Sequence, residues 1–142
     1  MSTYPSSQAT GHPAGRNSPL ALLSAARGAL AEAAATAEPG ERFRLAHLSA
    51  LRTAAALCAH RSQLNGRSAA ARRKLMSVWV LMERVAPEHA DWAMFFAAGA
   101  PLRAAVEAGA LSAVSARMAD DQVRAAGEFL ALVEESLGLL AA

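Results

Sequence analysis

Cysteine is almost missing from this 142-residue chain: Cys58 stands alone. One thiol excludes an internal disulfide and any cysteine-based zinc site, and it fits a reducing cytoplasm. Aromatic residues are only 5% of the chain, and no run of β-branched residues reads as a strand. No segment reaches the ~18–20 uninterrupted apolar residues of a membrane span. The nearest stretch, "MSVWVLM", is short and flanked by charge, so no membrane association is expected. The opening residues, "MSTYPSSQATGHPAGRN", lack the apolar core of a signal peptide and are rich in Ser, Pro and Gly. They are expected to form a disordered tail over 1–17, followed by one domain over 18–142.

What the chain has is alanine. Hydrophobic residues make up 54%, yet about a quarter of all residues are Ala. Alanine is the best helix former, and its small side chain lets helices approach closely. A chain of this length holds one core and not two. The expected fold is all-α, a bundle of four to five helices.

Acids are also missing from one long stretch. Between Arg42 and Met82 the charged residues are Arg42, Arg44, Arg52, Arg61, Arg67, Arg72, Arg73 and Lys74, all basic. From Ala104 onward the balance reverses, with Glu107, Asp120, Asp121, Glu128, Glu134 and Glu135 against Arg117 and Arg124. Such asymmetry implies a dipolar surface open to partners of either sign.

Ser18 and Pro19 suit the start of a first helix that runs to Pro39-Gly40. Pro39 and Glu41 suit the first turn of a second, "ERFRLAHLSALRTAAALCAHR". Asn65-Gly66 marks the major loop. A third helix is expected from about Arg72 to Ala86. Pro87 opens a fourth, with Glu88 and Asp91 in its first turn, and Gly99-Ala100-Pro101 is expected to kink or break it. The last helix begins near Ser115, with a seam at 119, 123, 126, 130, 133 and 137. Trp79, Trp92, Phe95 and Phe96, with Met76, Met82 and Met94, read as the core of the third and fourth helices.

On a wheel of 100° per residue, the second helix gathers Phe43, Ala46, Ala50, Leu51, Ala54, Leu57 and Cys58 on one arc. Arg42, Ser49, Arg52, Thr53 and His60 fall opposite. His47 lies inside the apolar arc with Arg44 at its margin, so its ring should point into the core or a groove. Ser77, Asp120 or Asp121 could serve as its partner. Burial there would favour the neutral imidazole.

The blocks "RLAHLSALRTAAAL" (44–57), "VWVLMERVAPEHADWAMFFAAGA" (78–100) and "VSARMADDQVRAAGEFLALVE" (114–134) resemble the HEPN superfamily, in particular its short actinobacterial branch. The resemblance covers essentially everything after residue 18. It implies a helical bundle, often dimeric, that binds RNA or nucleotides, pairs with a protein such as a nucleotidyltransferase, or cleaves RNA without a metal. Catalytic members carry an Arg, four to six residues, then a His, usually with a polar or acidic residue on another helix. In that chemistry the histidine moves protons at the 2′-hydroxyl or the leaving oxygen, and the arginine stabilises phosphate charge.

Two pairs match the spacing. Arg42 and His47 lie in one continuous helix, where a five-residue step turns about 140° and separates the side chains, Arg42 toward solvent and His47 inward. Arg84 and His89, in "RVAPEH", have Pro87 between them and can converge, although Val85 replaces the polar residue that usually follows the arginine. Arg67, Arg72, Arg73 and Lys74 are the candidate phosphate contacts, since guanidinium forks suit phosphate oxygens. No glycine-rich phosphate loop and no metal-ligand spacing is present, and no cofactor is expected. The leading expectation is a module that binds RNA or nucleotide phosphates as a homodimer. Alternatives are a protein-interaction module and a ribonuclease using Arg84 and His89.

Overall fold

Ser18 starts the first helix as its side chain suggests: its hydroxyl oxygen accepts the backbone N–H of Ala21 at 3.1 Å, and Pro19 follows at the first helical position. The computed structural model describes residues 18–64 and 77–138. Its elements are α1 (Pro19–Ala34), α2 (Pro39–Leu64), α3 (Val78–Val85), α4 (Ala90–Glu107) and α5 (Ala116–Ser136). Single 3-10 turns at Pro87–His89 and Leu111–Ala113 lead into α4 and away from it. No strand occurs among the described residues. The expected tail over 1–17, the loop at Asn65-Gly66 and the start of the third helix at Arg72 lie outside them.

Several helix boundaries have a local cause. Glu38 caps α2 by accepting the N–H of Glu41 at 2.7 Å. Ser77 and Ser115 do the same for α3 and α5, taking the N–H groups of Val80 and Met118. Such caps satisfy backbone donors that have no partner inside the helix. Gly109, with φ of 104°, takes the left-handed conformation that ends α4 cheaply only for glycine.

α2 lies at the centre and packs against all four other helices. This overturns the two-sided wheel. Ser49 and Thr53, placed on the solvent side by periodicity, are both fully buried. Ser49 donates to the Ala26 carbonyl of α1 at 2.7 Å, and Thr53 donates to the Ser49 carbonyl at 2.9 Å. Small hydroxyls that bond to nearby carbonyls can enter a core without leaving an orphan donor. A helix surrounded by neighbours needs no polar face. Along α1 the contact is made by Leu23, Ala26, Ala29 and Ala33, with Ala46, Ala50 and Ala54 buried on α2.

α4 runs unbroken through Pro101, so the expected break at Gly99-Ala100-Pro101 does not occur. The proline faces solvent, where the Ala97 carbonyl that loses its donor can turn toward water. The cost of an interior proline, ~3 kcal/mol, is set against burial of Phe96 before it and Val106 after it. The remaining core joins Trp79, Leu81 and Met82 of α3 to Phe129, Leu130 and Val133 of α5. Met94 and Phe95, expected inside, are exposed. On α5 the seam is as read, with Ala119, Ala126, Leu130 and Val133 buried. No described helix is long and apolar enough to cross a membrane.

The tight α1–α2 contact gives a direct test. Ala50→Leu forces bulk into fully buried space and should cost about 1–3 kcal/mol, seen as a lower urea midpoint at unchanged slope. Ala104→Leu, on the exposed side of α4, should stay within about 0.5 kcal/mol.

Candidate functional site

The second helix does carry its histidine inward. His47 is fully buried, and its Nε2 lies 2.8 Å from the main-chain carbonyl oxygen of Phe96 on α4. A carbonyl can only accept, so Nε2 carries the proton and donates. Nδ1 is sealed away from water with no partner among the described residues. Protonating it would create a buried, unpaired N–H beside a positive charge. The ring is enclosed by Phe43, stacked at 6.2 Å, and by the edges of Trp79 at 5.8 Å and Phe96 at 6.3 Å. Gly99 makes this approach possible: a Cβ there would stand 3.3 Å from His47 Cδ2 and 3.4 Å from Phe43 Cζ.

Burial holds the His47 pKa below its usual value, and the nearby positive charge of Arg103 pushes in the same direction. The bond to Phe96 and the charge of Glu107 oppose the shift without reversing it. A neutral imidazole sealed in this way fastens α2 to α4. Its partner is a backbone carbonyl and none of the side chains expected: Ser77 caps α3, Asp120 pairs with Arg42 at 3.0 Å, and Asp121 pairs with Arg124 at 3.0 Å.

The cationic exterior of α2 is largely neutralised. Arg42, expected in solvent, has a side chain only 13% exposed. Besides Asp120, it donates to the carbonyls of Thr36 at 3.1 Å and Ala37 at 2.8 Å, tying the α1–α2 connection to α5. Carbonyls just past a helix end lack intrahelical donors, and an arginine fork supplies several. Arg44 pairs with Glu41 at 2.9 Å, and Arg61 pairs with Glu88. Arg52 has no carboxylate partner among the described residues. Arg67, Arg72, Arg73 and Lys74 lie outside the described residues.

Arg84 and His89 sit on either side of the break at Ala86, whose φ and ψ of −142° and 63° end α3. No hydrogen bond or ion pair among the described residues joins them directly. Arg84 is exposed, whereas the His89 side chain is 14% exposed. Between them reaches Arg61 from the end of α2, donating to the Val85 carbonyl at 3.0 Å and to the Glu88 carboxylate. Glu88 Oε2 is in turn 3.8 Å from His89 Nε2. Donation from Arg61 keeps the Glu88 carboxyl below its usual range. The junction of α2, α3 and α4 therefore holds the Arg61–Glu88 pair beside His89, with Arg84 in the last turn of α3 and without a carboxylate partner among the described residues. Sequence reading found Arg84 and His89 but gave Glu88 only a helix-end role and Arg61 only to the basic surface. An acid directly before the histidine was the available signal. No described cluster of His, Cys, Asp or Glu could hold a metal.

Four helices packed around a central α2 make up this all-helical bundle. The chain belongs to the SAV_6107-like HEPN family, whose family model matches residues 33–134. No curated protein and no solved structure matches it.

The buried imidazole has a consequence in pH. Its folded pKa is below 6.5, so the unfolded chain binds more protons as the pH falls through that value. Stability should be level above about pH 6.5 and should fall as the pH drops from there toward the folded pKa. His47→Gln, which keeps an N–H donor but cannot titrate, should flatten this segment of the profile. Urea midpoints at pH 7.5 and 5.5 measure the difference; equal slopes in both proteins would remove the buried neutral ring from the explanation.

Proposed function

We propose that this HEPN-family chain binds the phosphates of RNA or of a nucleotide at the α2–α3–α4 junction. Support comes from one observation above others: Arg84 is an exposed cation, five residues before His89, with no carboxylate partner among the described residues. Arg27, Arg42, Arg44, Arg61, Arg103 and Arg124 all have carboxylates within 4 Å, whereas Arg52, Arg84 and Arg117 have none among the described residues, and of these three Arg84 alone precedes the helix break before His89. The sequence adds Arg67, Arg72, Arg73 and Lys74 as further phosphate contacts in the stretch leading into α3. Guanidinium groups give phosphate two parallel hydrogen bonds. No described aromatic stacking platform adjoins Arg84, so binding of this kind reads charge and shape rather than sequence. A homodimer, as the family resemblance implies, would present the junction twice.

A second reading has its own observation, the carboxylate of Glu88 beside His89. With Glu88 orienting the imidazole, His89 could take the proton of a ribose 2′-hydroxyl as its oxygen attacks phosphorus. Arg84 would stabilise the added negative charge, and the leaving 5′-oxygen would collect a proton, giving a cyclic phosphate and a 5′-hydroxyl.

Two measurements separate these readings. Single-stranded RNA should be retained in a salt-dependent way, and Arg84→Ala should reduce the slope of log K against log salt by about 0.7. Adding Arg72→Ala, Arg73→Ala and Lys74→Ala should abolish retention at moderate salt; unchanged retention would overturn the binding proposal. If RNA is cleaved in chelator, His89→Ala should slow cleavage by roughly 10²–10⁴-fold, and undiminished cleavage would eliminate His89 as its agent.

A further inference from the structure

A second surface begins at Asp91, two residues beyond His89, and runs along α4 and α5. α4 and α5 run antiparallel with an open groove between them. One end is a cavity of about 390 Å³ bounded by Asp91 and Glu128. The other is a cavity of about 280 Å³ bounded by Leu102 and Met118. Phe95 and Asp121 wall both, so the two are continuous. From Asp91 to Leu102 the groove follows twelve residues of α4, about 16 Å or three helical turns.

Its floor is small, made by Ala98, Gly99 and Ala125, while Phe95 and Met118 stand up at its edges, 48% and 37% exposed. Small residues flanked by large apolar ones accept the ridge of another helix. The rim carries Asp91, Asp121 and Glu128 against Arg124, which already pairs with Asp121.

We propose that the α4–α5 groove docks a basic amphipathic helix of about three turns from a partner protein. The apolar floor takes the helix's i, i+3, i+4, i+7 face, and the carboxylate rim pairs with its lysines or arginines. Symmetric pairing of two copies through this face would set acidic rim against acidic rim, which like-charge repulsion opposes. Phosphate is repelled for the same reason, so this surface is separate from the phosphate-binding junction and stands or falls independently of it.

The full chain can be titrated with a labelled helical Leu/Lys peptide of four turns, followed by anisotropy, with a Leu/Glu peptide of identical pattern as control. The Leu/Lys peptide should bind saturably, more weakly as salt rises, and the control should not bind. Asp121→Lys combined with Glu128→Lys, both at exposed or half-exposed positions, should weaken binding about tenfold or more. Phe95→Glu should do likewise while RNA retention is unchanged. No saturable binding, equal binding of both peptides, or insensitivity to these substitutions would overturn the proposal. So would a homodimer in sedimentation that Phe95→Glu dissociates, since the groove would then serve a second copy.

Discussion

The hydrogen bond from His47 to the Phe96 carbonyl is the point on which the arrangement of helices depends. A chain that is about a quarter alanine has few bulky side chains with which to hold helices apart or in register. Its helices must come close, and close approach buries backbone and polar groups that need partners. At the α2–α4 crossing the imidazole supplies the donor and Gly99 the space. The described aromatic residues then link ring to ring from Phe43 through Trp79 and Phe96 to Trp92 and Phe129. Few aromatics suffice because they are spent in one place.

Much of the fold was legible in single residues. Ser18, Pro19, Pro39 and Ser115 mark helix starts by chemistry that acts within one turn, and the α5 seam follows directly from spacing. The failures share a cause. Periodicity assumes one buried side per helix, and α2 is enclosed by four neighbours, so Ser49 and Thr53 were assigned to solvent. Conversely, α4 faces solvent over more of its surface than its composition suggests, and Met94 and Phe95 stand outside the core. Pro101 does not break α4, because a helix packed on both sides of a proline can continue through it.

The site was legible in part, for a related reason. Inward placement of His47 followed from its position among apolar residues, but its partner is a main-chain carbonyl, which no inventory of side chains can reveal. Arg84 and His89 were visible as a spaced pair, while Arg61 joins them only because the end of α2 meets the α3–α4 turn. Long-range ion pairs also changed the electrostatic picture. Arg42 and Arg61 are bound to acids 78 and 27 positions away in sequence, Asp120 and Glu88. Among the described residues Arg52, Arg84 and Arg117 are left without a carboxylate partner, while a groove with apolar lining and an acidic rim runs along α4 and α5.

Direct observation of the His47 ring nitrogens is the sharpest test. In two-dimensional ¹⁵N–¹H spectra the ring should show the neutral tautomer protonated at Nε2 and keep it as the pH is lowered through 6.5. An imidazolium that titrates at that ordinary value, or a neutral ring protonated at Nδ1, would contradict the bond to Phe96 and the packing of α2 on α4 derived from it.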